Sequence, residues 1–179
     1  MVVALFLRDT FRLPVALNIP ALSPAVPHPS AATPFDADAA CCEWSRWWDQ
    51  LLTAEDAPRP GERPTGQILP DGAEFPVLAA LVANVRSEAL DYSGQRKREE
   101  KALRPARILN SVESGILNEA RPRLTRPRGR QVSIRITQLP VDGDFSWPRS
   151  PHHLVVSRST RADSAAYLAA LQTALGWSH

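Results

Sequence analysis

At 179 residues, with 44% hydrophobic and 22% charged residues, the chain can bury a core without a disulfide or metal staple, which argues against whole-chain disorder. The net charge of +2 hides a split: residues 1–94 carry 6 basic and 12 acidic residues, residues 95–179 carry 15 and 7. No stretch approaches the ~18 apolar residues of a membrane span, and no basic leader or small-residue cleavage site flags secretion.

Cys41 and Cys42 are adjacent, where the distance and dihedral demands of a disulfide are hard to meet. They read as reduced thiols of a cytoplasmic protein. Arginine outnumbers lysine 19 to 2, alongside abundant alanine and proline, as in the proteins of a GC-rich bacterial genome.

Residues 2–7 form a continuous apolar run that suits a buried strand or a short helix, and a strand is expected. Leu13, Val15, Leu17 and Ile19 alternate with Arg12, Pro14, Ala16 and Asn18, the period of a second strand, which Pro14 places at a sheet edge or makes begin late. Residues 20–36 hold five prolines and predict a loop with polyproline II character, including Pro24-Ala25-Val26-Pro27, a minimal proline-ligand pattern.

Asp36 or Asp38 offers an N-cap to a helix. Trp44, Trp47, Trp48, Leu51 and Leu52 then fall at offsets 0, 3, 4, 7 and 8, an amphipathic stripe. Residues 56–72 form a second Pro- and Gly-rich loop. Asp71 and Glu74 stand at capping-box spacing, and a helix is expected to start near there, with Phe75, Leu78, Leu81, Val82, Val85 and Ala89 on its apolar face and Pro76 in its first turn. Pro105 predicts a break or kink at Arg104. Ile108 to Leu117 then suggests a further helix.

Residues 121–130 form a loop with five arginines and no acid. Val132, Ile134 and Ile136 alternate as the clearest strand. Residues 140–151 predict a turn-rich connection containing Asp142-Gly143-Asp144. Leu154–Ser157 is the next strand. Thr160 or Asp163 caps a last helix carrying Tyr167, Leu168, Leu171 and Leu175.

The order ββ–α–α–α–ββ–α predicts a single α+β domain over residues 1–179, with a four-stranded, largely antiparallel sheet covered by helices. No nucleotide-binding or nucleophile-elbow motif is present, and no cofactor or metal is expected. The leading functional reading is a non-enzymatic interaction protein that binds another protein through the aromatic stripe (Trp44, Trp47, Trp48, Leu51) or the Pro-rich surface. Anion or nucleic-acid binding through Arg121, Arg123, Arg126, Arg128 and Arg130 is an alternative. A second alternative is an enzyme of unrecognised type with its site among Asp142, Asp144, His152 and His153.

Overall fold

A computed structural model describes residues 1–28, 34–56, 69–109, 134–150 and 153–174. The chain divides into two compact units, Met1–Arg96 and Lys97–His179. No helix among the described residues is long and apolar enough to cross a membrane.

The first unit is helical. Helix α1 (Val2–Phe11) occupies the expected first strand. Its residues Val3 to Leu7 are all buried, and an apolar run closed in on every side carries no period to distinguish helix from strand. The expected second strand is absent too. Residues 13–19 join no ladder. The Val15 and Leu17 N–H groups donate to the carbonyls of Leu13 and Val15, at 2.8 and 2.9 Å. These bonds reach back two residues, as in γ-turns. The expected alternation nonetheless survives as burial: Leu13 and Ile19 are buried, Val15 and Leu17 half-buried, and Pro14, Ala16 and Asn18 exposed.

Helix α2 (Ala37–Asp56) starts at Asp36, whose Oδ1 accepts the Ala39 N–H at 3.0 Å. Helix α3 (Pro76–Leu109) begins with proline, which suits the first turn because that N–H has no helical partner. Its next two N–H groups are capped from α2. Glu43 Oε1 accepts from Val77 at 3.3 Å and Oε2 from Leu78 at 2.9 Å. The carboxylate thus sits where the helix dipole is positive. The expected apolar face of α3, from Phe75 through Leu78, Leu81, Val82 and Val85 to Ala89, is buried. The helix passes through Arg104 and Pro105 without ending. Its irregularity is instead at Val85 (φ −133°, ψ 21°). The further helix suggested over residues 108–117 lies mostly outside the described residues.

The second unit carries the sheet, which corrects the expected four antiparallel strands to three in mixed orientation. Strands β1 (Arg135–Leu139), β2 (Ser146–Ser150) and β3 (His153–Ser157) lie in the order β1-β3-β2. β1 runs parallel to β3, with Ile136 opposite Leu154, and β2 runs antiparallel to it, with Trp147 opposite Val155. β2 falls inside the stretch expected to be a turn-rich connection. Pro148 gives that stretch the look of a loop, yet an edge strand tolerates proline, and the pairing is irregular between Pro148 and Ser150.

Ser157 caps the short helix α4 (Arg158–Ala162), its Oγ accepting the Thr160 N–H at 3.1 Å. Asp163 caps α5 (Ser164–Ala174), accepting from Ala165 and Ala166 at 2.9 and 3.1 Å. Tyr167, Ala170, Leu171 and Ala174 of α5 pack on Leu154 and Val156, with Ile134, Ile136 and Leu168 at the margin. Leu13 and Val15 belong to the first unit and Ile134 to the second, so the two ends of the chain do not share one sheet.

Candidate binding groove

The aromatic stripe turns inward. Trp44, Trp47 and Trp48 are at most 2% exposed, Leu52 is buried and Leu51 half-buried. Trp44 and Trp48 stack with ring centroids 5.2 Å apart and planes 9° from parallel. The Trp44 indole N–H donates to the Ala4 carbonyl at 2.7 Å, which fastens α2 to α1. The three rings are therefore spent on the unit's own core.

The Asp142–His153 stretch is divided. Asp142 and Asp144 are exposed around Gly143, whose φ is +65°. His153 is buried on β3, its Nε2 2.9 Å from Thr137 Oγ1. Around that turn, hydroxyls knit backbone together: Ser157 Oγ and Thr160 Oγ1 accept the Phe145 N–H at 3.1 and 2.9 Å. Among the described residues no three His, Cys, Asp or Glu side chains could hold a metal ion. His152 and Arg121, Arg123, Arg126, Arg128 and Arg130 lie outside the described residues. Cys41 and Cys42 are free thiols, half-buried and exposed. Burial, then the charge of Asp38, then Cys42 push the Cys41 thiol up.

A groove forms instead in the first unit, at the end of α1. Arg12 closes that helix in the left-handed conformation (φ 51°, ψ 44°). Its N–H bonds to the Asp9 carbonyl and the Leu13 N–H to the Arg8 carbonyl, the pattern of a Schellman stop. The chain then folds back as a strap over residues 13–28. Arg8, 7% exposed, clips the strap to the helix. Its Nη1 and Nη2 donate to the carbonyls of Ile19 and Pro20, both at 2.7 Å, and its Nε to Asp9 Oδ1 at 2.6 Å. Asp9 Oδ2 accepts the Leu22 N–H at 2.6 Å. A buried charge pair must have its remaining donors and acceptors filled to be tolerated, and this arrangement does so with strap backbone.

Further along, Leu22 and Val26 are buried and the Tyr92 hydroxyl donates to the Pro24 carbonyl at 2.9 Å. The Pro24–Pro27 stretch, in which the Ser23–Pro24 peptide is cis, is thus seated on the protein's own helices. Between strap and helix end lies a groove of about 400 Å³. That is at the small end of roughly 300–1,000 Å³ for small-molecule and side-chain pockets. Leu13, Val15, Leu17, Ile19, Leu22 and Val26 give it apolar walls, and Arg12 and His28 also line it. Both are exposed, and neither side chain makes a hydrogen bond or ion pair with another described residue.

Comparison with protein-family models, curated proteins and solved structures finds no match. The groove therefore rests on its own chemistry. Sequence reading does not single out Arg8, Asp9, Arg12 or His28. Arg8 and Asp9 look like polar residues ending an apolar run, and their partners are 11 to 13 residues away. The one available signal is the alternating Leu13–Ile19 set, which places apolar side chains on one side of an extended segment.

Proposed function

We propose that the chain is a non-catalytic interaction protein of the cytoplasm that takes an apolar segment of a partner protein in the groove beneath the 13–28 strap. The observation that carries this reading is the state of Val15 and Leu17. Both line the groove and are half-buried, while the strap beyond them is held at Ile19, Pro20 and Leu22 by the Arg8–Asp9 clip. A groove already ordered costs less to fill than one that must form on binding.

The test is selection from a displayed random-peptide library on the immobilised full chain, in parallel with Leu17→Asp. Enrichment of apolar peptides by the wild type, abolished by a charge placed in the groove, is the expected result. Enrichment indifferent to Leu17→Asp would move the binding surface elsewhere, and none at all would end the proposal.

The net charge of +8 over residues 95–179 favours a second, separate reading, anion binding through Arg121–Arg130. Retention on heparin at low salt, lost when these arginines are replaced, supports it. Absence of retention removes it.

A further inference from the structure

Granting the groove reading above, we propose that its occupant is the free C-terminus of a partner protein: apolar final side chains against the walls, and the terminal carboxylate held by Arg12 with His28 beside it. The charge inventory comes first. Arg8 has committed all three of its guanidinium nitrogens, to Asp9, Ile19 and Pro20, and Asp9 has committed both oxygens, to Arg8 and Leu22. That pair is neutral and closed. Among the described residues the other ionisable groups on the lining are Arg12 and His28, neither bonded to a described residue. An occupant complementary to this lining is apolar along its length and negative at one end.

The backbone of Arg12 is the second observation. It holds the left-handed position at a helix stop where glycine is the default, and a side chain there costs on the order of 1 kcal/mol. The chain carries that cost and places at the groove a guanidinium, whose planar fork matches a carboxylate with two parallel hydrogen bonds. Strain of this kind clusters at sites that bind.

The strap itself argues for a peptide over a fatty acid. Val15 and Leu17 use their N–H groups within the strap, but those of Ala16 and Asn18 have no acceptor among the described residues. These donors stand beside the lining residues Val15 and Leu17, not on the lining itself, and are open to the backbone carbonyls of an added peptide. A hydrocarbon tail could use neither.

The experiment uses a synthetic pool Gly-Gly-X-X-X, with X drawn from Ala, Val, Leu, Ile and Phe, made once as free acids and once as C-terminal amides. Each pool is captured on the immobilised full chain and quantified by mass spectrometry, with dodecanoate as competitor. The acids should be retained about tenfold or more over the amides, the scale of charge-assisted hydrogen bonds. Arg12→Gly should erase that preference while raising the thermal midpoint, a combination that damage to the fold cannot produce. Arg12→Lys should restore part of the preference, and His28→Gln should reduce it less than Arg12→Gly does. Equal retention of acids and amides overturns the carboxylate assignment and leaves the groove reading standing. Retention of neither overturns both. Tight dodecanoate binding without peptide retention overturns the peptide in favour of a lipid acid.

Discussion

Replacing Asp9 with alanine tests whether the Arg8–Asp9 clip holds the strap. The two side chains are 8% and 14% exposed, so water cannot readily take the place of the lost carboxylate. Removing one member of a buried pair costs about 3–5 kcal/mol, because the remaining charge stays buried without its counterpart. The Leu22 N–H also loses its acceptor, worth about 1–3 kcal/mol if it stays dry. The two costs overlap, since the Ile19 and Pro20 carbonyls still solvate the guanidinium. A net loss of about 3–5 kcal/mol is therefore expected, a large share of the roughly 5–15 kcal/mol that stabilises a domain. Urea unfolding followed by tryptophan fluorescence reads it, because Trp44, Trp47 and Trp48 all sit in the core of this unit. Asp9→Asn keeps an acceptor for Leu22 but no charge for Arg8, so it should fall between wild type and Asp9→Ala. A loss below about 1 kcal/mol for Asp9→Ala, the level of an exposed ion pair, would refute the reasoning.

Glu43→Gln removes the charge from the cap on α3 while keeping an acceptor, and should cost about 1 kcal/mol in the same assay; no loss would mean that water caps the helix equally well. Gly143→Ala should cost about 1 kcal/mol through backbone alone, because a Cβ there meets no atom within 4 Å while φ is +65°. A thermal midpoint unchanged by that substitution would count against the left-handed turn. Alkylation near the ordinary thiol pKa should modify exposed Cys42 first, with Cys41 catching up only as pH rises, since its raised pKa keeps it protonated. Peptide mapping by mass spectrometry reads the order, and faster reaction at Cys41 would contradict its placement.

The helices with a polar face were legible because burial on one side imposes a period. The stripe at Trp44, Trp47, Trp48 and Leu52 and the face from Phe75 to Ala89 are buried as their spacing requires. The run at Leu154–Ser157 likewise marks β3, whereas of the alternating set Val132, Ile134 and Ile136 only Ile136 falls within β1, and Val132 lies outside the described residues. Residues 2–7 misled because full burial erases periodicity, and residues 12–19 because alternating burial does not require a ladder. β2 was hidden by Pro148. The groove was illegible for a different reason. Its shape depends on Arg8 and Asp9 reaching carbonyls and an N–H across the strap, and no local pattern encodes a side chain's distant partner. The expected aromatic contact surface was a correct helix stripe facing the unit's own interior.

The order β1-β3-β2 also constrains how the protein is born. During synthesis the two outer strands leave the ribosome before the middle one, and neither borders the other. Until residues 153–157 emerge, neither can make its native ladder. The last strand made is thus the one on which both sides of the sheet depend.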